Sequence, residues 1–392
     1  MKEHQTRSDA RFRRQILNSN YILIVAGEVS GDIQGGKLVK AIKELSPDMK
    51  IAGIGGENMR ASGMELLRNV SEMSFLGFTE IIKHLPFIRK VMNELIKWIE
   101  IERPKIVVLI DYPGFNLKLA EKAKKLGCKI IYYISPQIWA WGKGRIKKIA
   151  RLVDQMIVVF PFEEELYQNA GVAVEFVGHP ILENLEVNLS KEDFYSENDL
   201  NLNEKMIGLL PGSRSQEVEN HYKPMIDAVE KLKSEYPNMQ SITAKSPVVD
   251  KIVYTEIAGN NNQKYTDKTH DVMSHSDLLF VASGTATLES ACLGTPLIVV
   301  YRVSPLSWLI GKMLVNIDFI GLVNIVAGRR IAPELLQSEL TPSRLALEAS
   351  NILKDEKSYA ETSSELLKVK KMLGEPGASK KAAELIIKHS QS

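Results

Sequence analysis

Only two cysteines, Cys128 and Cys292, occur in the 392 residues, and each sits in an apolar helix-like or strand-like context. That excludes a disulfide framework and a thiolate metal site, and it suits a reducing compartment. No apolar run approaches the ~18 residues of a membrane-spanning helix. The leader, residues 1–20, carries Lys2, Arg7, Arg11, Arg13 and Arg14 but no apolar stretch, so it reads as a flexible basic extension rather than a signal peptide. A cytoplasmic protein is expected. Formal net charge is only +2, which argues against a nucleic-acid-binding field. No Asp-x-Asp pair occurs, and no His/Asp cluster has metal-ligand spacing. The Gly-x-Gly-x-x-Gly fingerprint is also missing from the first strand-to-helix turn, which disfavours a dinucleotide oxidoreductase.

What is present is alternation. Continuous apolar runs at 21–27, 50–56, 105–111, 129–135, 155–161 and 174–180 alternate with helix-like segments. Such runs suit parallel strands buried on both faces, and right-handed βαβ units then give a doubly wound sheet. A polar stretch at 183–205 reads as a connector. A second series follows at 205–214, 241–244, 277–282 and 296–301. The expected fold class is α/β, with two Rossmann-like domains. Their expected bounds are 21–182 and 205–345, and the C-terminal helices of 346–392 are candidates to pack back on the first domain.

Ligands of open α/β sheets bind outside the carboxyl ends of the strands. In the second half, Ser283-Gly284-Thr285 joins a strand directly to a helix. Unpaired amides at a helix start attract anions, and Gly284 admits a close approach. Glu289 lies four residues into that helix, within reach of a ribose. Plain helix capping by Ser283 or Thr285 is the alternative. In "LLPGSR" (209–214) a Gly-containing loop ends in Arg214, a cation matched to phosphate oxygens or else an ordinary surface charge. Together the two loops describe a diphosphate seat that needs no metal and no cofactor.

In the first half, "AGEVSGD" (26–32) places Glu28, Ser30 and Asp32 at the rim of a tight turn through Gly27 and Gly31. Asp111 ends a central strand, where a carboxylate either accepts a substrate proton or caps the next helix. Trp139 and Trp141 line a cleft or pack in the interior, and His179 is a cleft wall or a structural residue. Residues 74–100 carry an apolar stripe at helical spacing, but Phe75, Leu76, Phe78, Ile82 and Phe87 mix with basic residues. The stripe therefore reads either as a core-facing helix or as an interfacial element touching anionic lipid.

Seven motifs, "AGEVSGD", "DYPGFN", "SPQIWAWGKGR", "FPFE", "FVGHP", "LLPGSR" and "ASGTATLE", stand in the order found in lipid-A-disaccharide synthase. The chain resembles that family over about residues 21–340. The resemblance implies a B-type glycosyltransferase fold with its two domains facing across a cleft. It also implies inverting, metal-independent transfer from UDP-2,3-diacylglucosamine to 2,3-diacylglucosamine 1-phosphate, giving a β-1,6 disaccharide and UDP. By the same resemblance Gly212, Ser213, Arg214, Ser283, Gly284, Thr285 and Glu289 are donor-side. Glu28, Ser30, Gly31, Asp32 and Asp111 are acceptor-side or catalytic, and Asn324 lies near the cleft. Some members carry a second acidic residue where this chain has Gly114, so Asp111 becomes the leading base and Glu28 its rival. Acylated substrates imply peripheral association with the inner face of the inner membrane, and a homodimer is admitted. The alternatives are another UDP-sugar enzyme of the same fold, an epimerase or an N-acetylglucosaminyl transferase, or a non-catalytic nucleotide-binding or lipid-surface protein.

Overall fold

The computed structural model describes residues 19–73, 84–140, 143–259, 261, 263–314 and 317–391. The chain divides into two compact units, residues 1–183 with 375–392, and residues 184–374.

The first unit is built on seven strands: β1 (Ser19–Ala26), β2 (Lys50–Gly55), β3 (Glu65–Asn69), β4 (Pro104–Ile110), β5 (Lys129–Tyr133), β6 (Gln155–Val158) and β7 (Val174–Phe176). They pair in parallel in the order β3-β2-β1-β4-β5-β6-β7. The central strands are buried almost throughout, as their unbroken apolar runs require. The helix Leu85–Glu102 lays Val91, Met92, Leu95 and Ile99 onto this core. The last helix, Ala378–Gln391, packs on the helix Val29–Leu45. Two lysines hold its end, Lys105 Nζ donating to the Ser390 carbonyl at 3.0 Å and Lys129 Nζ to that of His389 at 3.2 Å. Cations there complement the negative pole of the helix.

The second unit has six parallel strands, β8 (Met206–Leu210), β9 (Gln240–Ala244), β10 (Lys264–Thr266), β11 (Leu278–Ala282), β12 (Leu297–Tyr301) and β13 (Glu334–Leu336). Their order is β10-β9-β8-β11-β12-β13. Helices Pro342–Lys354 and Glu356–Met372 belong to this unit, so only residues from 375 onward join the first one. The stretch 183–205 is likewise more than a connector. Ser190 caps a helix, Lys191–Glu197, that buries Phe194 and Tyr195. The amides of Asn188 and Leu189 donate to Asp271 Oδ1 at 3.0 and 2.8 Å.

In each sheet the chain reverses its winding direction once, between β1 and β4 and between β8 and β11. Those two points are where a doubly wound sheet opens a crevice at its carboxyl edge.

Candidate active site

At the reversal point of the second unit, the loops after β8 and β11 line one cavity of about 420 Å³. Gly212, Ser213, Arg214, Ser283, Gly284, Thr285 and Glu289 all border it, joined by Lys245 and Ser246 from the end of β9. The amides of Gly284, Thr285 and Ala286, at the mouth of the helix Ala286–Leu293, have no partner among the described residues. These are the orphan donors of a helix start, and they carry its positive pole. A Cβ built on Gly284 meets nothing within 4 Å, so the space beside it is cavity.

The other loop behaves differently. Gly212 adopts φ +133°, and a Cβ there falls 2.4 Å from Glu217 Cβ, so only glycine fits. Glu217 Oε2 accepts the amides of Ser213 at 2.8 Å and Arg214 at 3.3 Å. Those two amides are thus spent internally, which leaves the guanidinium as the loop's charged donor. The Arg214 side chain is 74% exposed and only 3.8 Å from Glu217 Oε1, a loose contact that leaves it able to turn to a ligand. Ser283 is also committed: its hydroxyl donates to the Ile320 carbonyl at 2.9 Å and its amide to that of Val300 at 2.9 Å. Lys245 makes no ion pair among the described residues. It is a second cation at the cavity, which the sequence reading passed over although it directly follows a predicted strand. Glu289 is half-buried, and burial raises its pKa while the nearby His270 opposes the rise.

At the reversal point of the first unit stand Glu28, capping position of the helix Val29–Leu45, and Asp111 at the end of β4. Asp111 and Tyr112 both take left-handed backbone conformations, φ 44° and 48°. Asp tolerates that region and Tyr does not, so the turn holds strain that its surroundings must enforce. They do: the Asp111 carbonyl accepts from Tyr132 Oη at 2.5 Å and Asn116 Nδ2 at 2.8 Å, and its amide donates to the Ile134 carbonyl at 3.3 Å. Gly27 supplies the room, since a Cβ there falls 2.1 Å from the Tyr112 ring. Burial first, and the Glu28 carboxylate second, raise the Asp111 pKa to about 6. A carboxylate poised there is ionised at neutral pH yet basic enough to take a proton. Among the described residues no group of three or more His, Cys, Asp or Glu is disposed to hold a metal ion.

The profile of the lipid-A-disaccharide synthetase family matches residues 22–388. The lipid-A-disaccharide synthase of Geobacter metallireducens is 41% identical over 369 residues, 93% of this chain and 96% of that protein. The chain belongs to the lipid-A-disaccharide synthase family. The synthase of Syntrophus aciditrophicus is 42% identical over 375 residues, covering 95% of this chain and 98% of its own. Among solved structures, a UDP-GlcNAc 2-epimerase from Neisseria meningitidis, bound to UDP-GlcNAc, superposes with a TM-score of 0.61 at 15% identity, covering 94% of this chain and all of its own. At that identity the likeness speaks for the fold alone, the B-type glycosyltransferase class. Lipid-A-disaccharide synthases are glycosyltransferases, and this chain is one.

Other candidate residues are engaged within the protein to different degrees. Asp32 is buried. Its carboxylate accepts the amides of Gly56 (2.6 Å), Asn58 (3.2 Å) and Met59 (3.1 Å) and the Asn58 side chain (2.8 Å), which caps the helix Glu57–Ala61. Asn324 is fully buried and saturated. Its Nδ2 donates to the Ala332 carbonyl and Glu334 Oε1, both at 2.8 Å, and its Oδ1 accepts the amides of Ile331 and Ala332. Glu334 in turn receives the amides of Ile320 and Gly321, and the Ile320 carbonyl accepts from the Ser283 hydroxyl, so a chain of hydrogen bonds runs from Asn324 to Ser283. His179 accepts from the Ile181 amide and packs 4.9 Å from the Phe160 ring; burial lowers its pKa to about 4, keeping it neutral. Gly31 is buried against Ala26, and Ser30 is exposed on the first turn of its helix. Trp139 is half-buried and donates from Nε1 to Glu163 at 3.1 Å. Glu163, overlooked inside "FPFE", is buried, also accepts from Ser135 at 2.5 Å, and has its pKa raised to about 7 by burial. Phe87 packs against the first unit's core. Phe75, Leu76, Phe78, Ile82 and Trp141 lie outside the described residues. No helix among the described residues is long and apolar enough to cross a membrane.

Proposed function

We propose that the chain joins UDP-2,3-diacylglucosamine to 2,3-diacylglucosamine 1-phosphate and releases UDP. The observation that carries this reading is the cavity itself, where three amides without a partner among the described residues, Arg214 and Lys245 converge on space that a Cβ of Gly284 leaves open. In the reaction the acceptor's 6-hydroxyl oxygen forms a bond to the donor's anomeric carbon as the bond from that carbon to the diphosphate oxygen breaks. The hydroxyl proton passes to the Asp111 carboxylate, and the electron pair leaves with UDP. Attack opposite the leaving group inverts the anomeric centre and gives the β-1,6 linkage. The amides of Gly284 and Thr285, with Arg214 and Lys245, stabilise the growing charge of the diphosphate, so no metal is required. Glu289 faces the ribose. Both substrates are diacylated, so the enzyme works at the cytoplasmic face of a membrane.

UDP release by the purified protein, with donor and acceptor in EDTA, tests the reading. Release that needs both substrates and survives EDTA is expected. UDP binding without any release would instead mark a non-catalytic nucleotide-binding protein, and a requirement for divalent metal would overturn the leaving-group chemistry.

A further inference from the structure

His221, on the helix Ser215–Leu232, is 1% exposed and belongs to none of the motifs above. Its Nδ1 lies 2.9 Å from the carbonyl of Pro211, and its Nε2 accepts the amide of Arg302 at 2.9 Å. A carbonyl only accepts and an amide only donates, so the partners dictate the tautomer: hydrogen on Nδ1, lone pair on Nε2. Burial lowers its pKa, in keeping with a neutral ring.

The position of the two partners gives the contact its meaning. Pro211 follows β8 and immediately precedes Gly212. Arg302 follows β12. Between β8 and β12 runs β11, whose end carries Ser283, Gly284 and Thr285. One imidazole therefore spans the carboxyl edge of three adjacent strands and ties the two outer ones together around the helix mouth. Ser283 is pinned to the same edge by its amide on the Val300 carbonyl. The separation between the Arg214 loop and the Gly284–Thr285 amides is set by these ties.

We propose that His221 is a positioning residue for the diphosphate, acting through the Pro211 carbonyl on the Gly212–Arg214 loop. This rests on the reading of the cavity as the UDP seat. The Nδ1 contact holds the loop that carries Arg214, whereas the Nε2 contact anchors the neighbouring strand end. The two contacts separate by substitution. In His221→Asn the amide nitrogen replaces Nδ1 and keeps the donor to Pro211. In His221→Gln the amide oxygen replaces Nε2 and keeps the acceptor for Arg302. Each loses one buried hydrogen bond, so their melting temperatures fall together.

UDP affinity by calorimetry, beside melting temperature, decides the matter in wild type and both variants. Wild-type binding is the control on the cavity reading: if the wild type does not bind UDP, that reading fails, whatever the variants do. Given wild-type binding, His221→Asn is expected to stay within about threefold of it and His221→Gln to weaken about tenfold or more, the loss of one charge-assisted contact. Equal affinities in the two variants, or affinity that simply follows melting temperature, overturns the positioning role.

Discussion

Asp111→Asn lowers turnover by about 10²- to 10⁴-fold, the usual worth of a general base, while UDP affinity stays at the wild-type value. The substitution is chosen for its silence elsewhere. Asparagine tolerates the left-handed backbone at φ 44°, and the bonds from Tyr132 and Asn116 go to the main-chain carbonyl, which the variant keeps. What disappears is the capacity to take a proton. The pH dependence gives a second reading of the same group. Its pKa is raised to about 6, and only the ionised carboxylate accepts a proton, so the rate climbs as pH rises through about 6 and levels off above it. That limb is absent from the residual rate of the variant. Single-turnover rates between pH 5 and 8, beside UDP titrations, check both statements. An unchanged rate in Asp111→Asn removes Asp111 as the base and leaves Glu28.

Arg214→Ala weakens UDP binding by about 10- to 100-fold and lowers turnover as well. A charge-assisted hydrogen bond to a phosphate is worth about 1.5–3 kcal/mol, and the diphosphate gains charge as it leaves. The melting temperature should not move. The side chain is largely exposed, and its 3.8 Å contact with Glu217 contributes little to the fold. Arg214→Lys recovers part of the affinity, since a point charge remains while the two-pronged geometry is lost. Wild-type UDP affinity in Arg214→Ala would transfer the cationic role to Lys245.

The central strands were legible because burial on both faces writes an unbroken apolar run. Strands β3, β10 and β13 were not, and all three lie at sheet edges, where short, half-buried segments such as Lys264–Thr266 carry little apolar signal. Residues 183–205 read as polar because the helix there buries only Phe194 and Tyr195 among charged neighbours. In the site, the loops were legible through their glycines and their place after strands. The direction of each polar group was not. Asp32 and Asn324 turn their side chains to backbone amides, whereas Asp111 keeps its carboxylate free of them apart from Tyr112, and nothing in a linear sequence separates these cases. Lys245 and His221 escaped notice for the same reason: one follows a predicted strand whose end loop carries no glycine to mark it, and the other sits mid-helix with its partners ten and eighty-one residues away.

The most direct test of the helix mouth as the diphosphate seat is a UDP titration of wild type and Gly284→Ala in EDTA. Beyond its chain neighbours the added methyl meets no atom of the described residues within 4 Å, so folding and melting temperature should be preserved or slightly improved. It does enter the space beside the free amides. The wild type is expected to bind UDP without metal, and the variant to bind it about tenfold more weakly or worse. Equal binding by both proteins would contradict that assignment of the helix mouth.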